Sequence, residues 1–233
     1  MSGPIGDLVA STQARVMANF AGRIHGRDIL TVGEGSEWAA RLFARGGAKV
    51  TVVESSEATI VRARQRAAAE FVKIEFRVGD PRALDLPDRS FDVAVGVGLL
   101  VHTREWRRSV SELCRVAERL VILDYFPVMS AALLGALVRR VTRTRGAQSA
   151  AYSLVTNAAI ADALDRSGFR VRSVHRQFVL PITLHRAIGS RRFTIASEKI
   201  LDRLGLLDQL GTPVMLVAER CLLPNDAAVV RCH

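Results

Sequence analysis

Two glycines and one acid are the residues of this chain best placed to do chemistry. In Ile29-Leu30-Thr31-Val32-Gly33-Glu34-Gly35-Ser36-Glu37 an aliphatic run breaks at a glycine turn, and Ala48-Lys49-Val50-Thr51-Val52-Val53-Glu54 is a second such run that ends on an acid. Gly33 and Gly35 allow the turn to bring its backbone close to a ligand. Glu54 follows Gly33 by about 20 residues, the offset at which an acid reaches a ribose hydroxyl pair across two neighbouring strands. The pattern points to a nucleoside cofactor. A dinucleotide is disfavoured, because the third small residue of that fingerprint falls where Trp38 stands.

The same arrangement continues along the chain. Gly79-Asp80 closes a third run (Ile74 to Val78), Leu86-Pro87-Asp88-Arg89-Ser90-Phe91-Asp92-Val93 leads into a fourth, and Gly96-Val97-Gly98 follows it. This order resembles the class I S-adenosylmethionine-dependent methyltransferases, and within them the group acting on small molecules and on quinone or lipid precursors. The resemblance is fullest over residues 28–126. It implies S-adenosyl-L-methionine as cofactor, with Gly33 and Gly35 under its methionine part and Glu54 on the ribose hydroxyls. By the same carry-over Asp80 meets the adenine amino group, and Gly96 and Gly98 line the amino-acid end.

Three positions depart from the family pattern. Thr31 stands where the family has an acid, Glu37 where it has a third glycine, and Pro81 where a backbone N–H meets adenine; proline has no such donor. Glu34 or Glu37 could replace the charge that Thr31 lacks. These departures motivate a second reading, a binding or scaffold protein on the same fold without turnover. A third reading, RNA methylation, follows from the basic charge. It is disfavoured by Gly-Val-Gly-Leu-Leu after the fourth strand, by scarce aromatics for base stacking and by the lack of an appended RNA-binding module.

Methyl transfer is an in-line displacement, so holding nucleophile and methyl carbon in line within a dry pocket supplies most of the catalysis. A base helps when the acceptor is a hydroxyl or a phenol carbon, and histidine suits neutral pH. His102 is the candidate base, since it follows the fourth strand where the family's substrate edge begins; packing or capping the next helix is its structural alternative. Tyr125, ending the fifth strand beside Asp124, and His185, with His175 nearby, are candidate substrate contacts. Cys114, Cys221 and Cys232 lack paired metal-ligand spacing, so no metal is expected, and unpaired thiols fit a reducing cytoplasm.

The elements that must position these groups alternate. Strands at Ile29–Val32, Ala48–Glu54, Ile74–Val78, from Phe91 and at Leu120–Asp124 are separated by helices at Trp38–Arg45, from Ser55 or Ser56 to about Phe71, and from Thr103 through Trp106, Val110, Leu113 and Ala117. Such alternation predicts a doubly wound, Rossmann-like α/β sheet whose ligand crevice lies at the carboxyl ends of the strands. With a sixth strand over Arg170–Leu180 and a last over Thr212–Cys221 the sheet has seven strands, mostly parallel, the last antiparallel by the resemblance. Residues 1–27 form an amphipathic helix over the cofactor side, part of a lid. Residues 28–223 are the methyltransferase-like domain, with helical lid insertions at about 127–150 and 181–210, and residues 224–233 are a tail.

The 233 residues suit one such domain with decorations. No uninterrupted apolar run approaches the roughly 18 residues of a spanning helix, and no secretory leader is evident, so a soluble cytoplasmic protein is expected. The net charge of +10 favours anionic partners, among them an acidic membrane surface touched peripherally through the apolar and arginine-rich stretch after Pro127. The functional expectation is a methyltransferase for a hydrophobic or aromatic small molecule, acting on oxygen or carbon.

Overall fold

Aliphatic and β-branched runs build a buried parallel sheet because both of its faces must be covered by helices. The computed structural model describes residues 4–33, 35–100, 105–125, 127, 155–179, 189–207 and 211–221. In chain order its elements are α1 (Pro4–Ala21), β1 (Asp28–Val32), α2 (Ser36–Arg45), β2 (Lys49–Glu54), α3 (Glu57–Ala69), β3 (Ile74–Val78), β4 (Phe91–Gly96), α4 (Trp106–Val116), β5 (Ala117–Tyr125), α5 (Asn157–Arg166), β6 (Phe169–Phe178), α6 (Arg191–Arg203) and β7 (Thr212–Arg220). The seven strands lie in the order β3-β2-β1-β4-β5-β7-β6. β1 to β5 pair in parallel, and β7 runs antiparallel between β5 and β6. The expected doubly wound sheet with an antiparallel last strand is the sheet observed.

Alternation along the strands divides the core into two layers. Leu30, Val32, Ala94, Val121, Leu123, Val214 and Leu216 face α4 and α5, packing on Val110, Leu113, Ile160 and Leu164. Their neighbours Ile29, Val93, Val95, Ile122, Met215 and Val217 face the other way, onto Ala39, Ala40 and Phe43 of α2 and onto Val16, Met17 and Ala21 of α1. The carboxyl-terminal half of α1, in the segment expected to lie over the cofactor side, is therefore part of the core wall. β3, at one edge, keeps Glu75, Arg77 and Val78 exposed, and its charges blunt further strand pairing.

Local chemistry explains the boundaries. Gly35, at φ 85, turns the chain into α2 at once, so the helix begins at Ser36, two residues before the sequence expectation. Ser56, not Ser55, caps α3, its Oγ accepting from Thr59 N at 3.3 Å. α4 begins at Trp106 with Glu105 as its N-cap, and the cap expected at Thr103 lies outside the described residues. Ala117 was expected on the helix and instead opens β5. The Arg220 guanidinium donates to the carbonyls of Cys114, Ala117 and Glu118 at 2.7, 2.6 and 3.0 Å. It thereby satisfies the helix-end acceptors that a connecting loop would otherwise serve.

A second arginine pins the long connection between β3 and β4 to α4. Arg115 donates to Leu84 O and Leu86 O, both at 2.8 Å, and pairs with Asp88 and Glu112 at 2.6 and 2.9 Å. The Glu112 carboxylate accepts from Leu84 N at 2.8 Å in turn. Arg115→Met leaves two carbonyls and Glu112 without their donor, and urea unfolding at neutral pH is expected to lose about 2 kcal/mol, since part of the network is exposed to solvent. The hydrogen bond from Arg115 holds the folded Glu112 carboxyl below its usual range. Its share of stability is therefore present above the unfolded value of 4.5 and is lost as pH falls through the folded one. The Met variant should show a shallower acid limb in the same titration.

Candidate active site

The strand order reverses between β1 and β4, because the chain leaves β1 for α2 on one face and β4 for α4 on the other. In an open α/β sheet that reversal opens a crevice at the carboxyl ends of the two strands. Gly33 stands at its floor with φ 106, and a side chain there would place its Cβ 2.5 Å from the Val97 carbonyl oxygen. Val97 N also donates to Val32 O at 3.0 Å. Gly33 is thus required by the close pass of the chain leaving β4 as well as by the turn itself. Gly35 differs: at φ 85 it has open space where a Cβ would be, so the bend is unobstructed there. Its helix, α2, has no side-chain cap on its first N–H groups, which makes its N-terminus attractive to an anion.

Glu54 ends β2 at 8% exposure. Its Oε1 accepts from Ser55 Oγ and Ser56 N, both at 3.2 Å, which fixes the side chain. Among the described residues no hydrogen bond reaches Oε2. Gly35 and Glu54 line one hollow, with Ser36, Glu37, Thr59 and Phe76 around it. The hollow holds about 10 Å³, near the least that one water needs, so a larger ligand at Glu54 must lie outward over the strand ends.

Asp80 follows β3 as expected, but its carboxylate is engaged. Arg82 grips it from Nε and Nη2 at 2.8–3.1 Å, Arg82 N adds a bond at 2.8 Å, and the same guanidinium reaches Glu105 at 2.5 Å. The Arg82 hydrogen bonds hold the Asp80 carboxyl down at about 2. The sequence signal for this pair was the turn Asp80-Pro81-Arg82, which brings the two side chains to one side.

At the next strand pair, Gly96 and Gly98 have distinct roles. A Cβ on Gly96 would meet Leu123 Cδ2 at 2.8 Å and Leu113 Cδ1 at 2.9 Å. The residue is small so that α4 and β5 can pack against it. Gly98, at φ 63, donates its N–H to Asp124 Oδ1 at 2.6 Å. Burial of that carboxyl pushes Asp124 up to about 6, against the lowering effect of the Gly98 bond. The pairing of Asp124 with Gly98 joins two strand ends and has no local signal in the sequence.

The remaining candidates separate. Tyr125 is 2% exposed, packed in the core layer beneath α5, and its hydroxyl donates to Asn157 Oδ1 at 2.9 Å. It is a core residue and not the expected substrate contact, because strand alternation turns it inward. His175 lies on β6, half-buried, and burial with Arg15 nearby lowers its pKa. His102, His185 and Glu34 lie outside the described residues, as do residues 128–154 and 180–188 of the insertions and the tail. Glu37, offered as a substitute charge for Thr31, is committed to Arg66 and Arg41 on the flank of α2. Thr31 is fully buried, and its hydroxyl has no hydrogen-bond partner.

The raised Asp124 value has a consequence for stability. Its folded pKa of about 6 exceeds the ordinary 3.8, so the folded state holds the proton more tightly, and stability rises as pH falls from about 6 towards 4. Ionised at neutral pH, the group costs roughly 2–3 kcal/mol. Asp124→Asn keeps an oxygen for Gly98 and removes the charge. It should exceed the native chain in urea resistance at pH 7.5 and match it near pH 4.5; an equal difference at both would refute the titration. Gly33→Ala, by contrast, should destabilise at every pH, by about 2 kcal/mol or more, through the clash at Val97.

Comparison with known proteins agrees with this geometry. Residues 29–119, which run from β1 to the start of β5, match the profile of a family described as a methyltransferase domain. A probable S-adenosylmethionine-dependent methyltransferase of Mycolicibacterium smegmatis is 34% identical over 101 residues, 43% of this chain and 38% of that protein. Phosphatidylethanolamine N-methyltransferase of Cereibacter sphaeroides is 34% identical over 127 residues, 52% of this chain and 61% of that one. The chain thus spans about two fifths to three fifths of the length of these relatives. The magnesium protoporphyrin IX methyltransferase of Synechocystis PCC 6803, solved with bound S-adenosylhomocysteine, superposes with a TM-score of 0.64 at 18% identity, covering 93% of this chain and 84% of that one; this likeness is one of fold. Through the segment that forms β1 to β4, with its glycine bend and its acid at the tip of β2, residues 29–119 of the chain match a methyltransferase domain and are similar to S-adenosylmethionine-dependent methyltransferases.

Proposed function

We propose that the protein transfers a methyl group from S-adenosylmethionine to oxygen or carbon of a hydrophobic or aromatic small molecule. The observation that carries this reading is Glu54 at the end of β2 beside the glycine bend that follows β1, next to the strand pair where the sheet order reverses. Glu54, held through Oε1, offers Oε2 to a ribose hydroxyl pair. The uncapped N-terminus of α2 beside Gly35 suits the methionine carboxylate. Gly98, tied to Asp124, shapes the wall opposite. Asp80 would share its carboxylate between Arg82 and the adenine amine, and Pro81 supplies no donor. The cofactor supplies an electrophilic methyl carbon on a sulfonium; the chain contributes position, exclusion of water and a proton acceptor, the role given to His102.

The acceptor class rests on the apolar insertions at about 127–150 and 181–210, where His185 belongs, and on the lipid and porphyrin named for two relatives. We place the protein in the cytoplasm. Among the described residues no helix is long and apolar enough to cross a membrane, no group of residues could hold a metal ion, and Cys114 and Cys221 are free thiols. A second reading, a cofactor-binding scaffold without turnover, is favoured by the neutral buried Thr31 and by the commitment of Glu37 to arginines, which leave the cofactor's ammonium group fewer acids.

Calorimetry with S-adenosylmethionine tests the cofactor site. The native chain should bind at submillimolar concentration, and Glu54→Ala should weaken binding by about a hundredfold, the value of two charge-assisted hydrogen bonds. Equal affinity in the variant would remove Glu54 from the site. His102→Ala should lower turnover of an aromatic acceptor by about a hundredfold or more with little change in cofactor affinity. Cofactor binding without transfer to any phenol, quinol or lipid acceptor would leave the scaffold reading standing instead.

A further inference from the structure

The helix between β6 and β7 presents a surface that cofactor binding does not require. α6 is fixed to the body from one side, where Thr194 is buried and the Glu198 carboxylate accepts from Val179 N at 2.7 Å. On the outside Phe193, Ile200 and Leu204 are 40%, 58% and 67% exposed. At about 100° per residue these three fall within roughly 40° of arc, an apolar stripe along the helix, while Ile195, also exposed, lies on another side. Arg192, Lys199 and Arg203 occupy a second arc of similar width beside the stripe and are exposed. Among the described residues no carboxylate pairs with any of the three, whereas Arg27, Arg41, Arg66, Arg82 and Arg115 on the body all have acid partners.

We propose that α6 docks this protein on an anionic lipid surface, with Phe193, Ile200 and Leu204 entering the boundary between headgroups and acyl chains and Arg192, Lys199 and Arg203 on the lipid phosphates. An apolar stripe flanked by cations on a short helix is the arrangement that lies in the plane of a membrane interface without crossing it. The charge argues against a second copy of the chain on this face. A two-fold interface brings each patch against itself, which would set three unpaired cations against three in a molecule already at +10. An anionic bilayer neutralises them. The proposal is independent of the transfer reaction, although a surface-bound enzyme would meet a lipid-soluble acceptor where it is concentrated.

Sedimentation of the full chain with vesicles tests this. Vesicles of phosphatidylcholine mixed with phosphatidylglycerol should carry the protein down at low salt and release it as salt rises, and vesicles of phosphatidylcholine alone should bind far less. Arg192→Glu, Lys199→Glu and Arg203→Glu together should reduce partitioning by about a hundredfold, at roughly fivefold or more per cation. Ile200→Ser with Leu204→Ser should reduce it about tenfold or more. Circular dichroism and S-adenosylmethionine affinity should stay unchanged in both variants, because none of the altered residues lines the hollow at Gly35 and Glu54, so loss of docking is distinguishable from loss of fold or of the methyltransferase reading. Native partitioning in both variants would overturn the proposal. So would a native chain that ignores anionic vesicles, or one that instead shows a concentration-dependent dimer abolished by the serine pair.

Discussion

The close pass of the Val97 carbonyl over Gly33 is the constraint on which the site depends. β1 and β4 are hydrogen-bonded neighbours, and each must send its chain to a different face of the sheet. Where they part, one backbone crosses the other at a distance that admits no side chain. Everything that can serve as a cofactor site is arranged about that crossing: the open bend at Gly35, the uncapped start of α2, and the loop that Asp124 ties down through Gly98.

Three acids at neighbouring strand ends meet three environments and acquire three characters. Glu54 is held by local donors through one oxygen, so its position is settled before any ligand arrives. Asp80 stands in solvent and is kept ionised by Arg82, an arrangement that stiffens the turn after β3. Asp124, partly buried at the end of β5, accepts from the Gly98 backbone, and burial of its carboxyl raises its titration to about 6. Residue type alone would have made them equivalent; solvent access and the partner's charge separate them.

The arginines follow a similar division. Arg115 and Arg220 act on backbone carbonyls as surrogate donors, which is how a sharp passage from α4 into β5 and a long loop over α4 are both held. Arg41, Arg45 and Arg66 join α2 to α3 through Glu37 and Glu70. Among the described residues, Arg192, Lys199 and Arg203 of α6 pair with no carboxylate and lie exposed beside apolar side chains.

The alternation of aliphatic runs with helical segments determined the doubly wound sheet, and the spacing of Gly33, Gly35 and Glu54 put the glycine turn after β1 and the acid at the end of β2, because strand periodicity and turn chemistry are local properties written in adjacent residues. The positions of the strands held to within a few residues, except where a distant side chain intervened: Arg220 started β5 at Ala117. Which way a given side chain points was not local. Tyr125 turned inward onto Asn157, Gly96 proved to be small for the sake of Leu113 and Leu123, and α1 became a core wall. The bond between Gly98 and Asp124, and the pairing of Asp80 and Glu37 with arginines, likewise waited on the folded chain. These outcomes depend on contacts between elements and on burial, quantities that exist only once the sheet has brought its strand ends together.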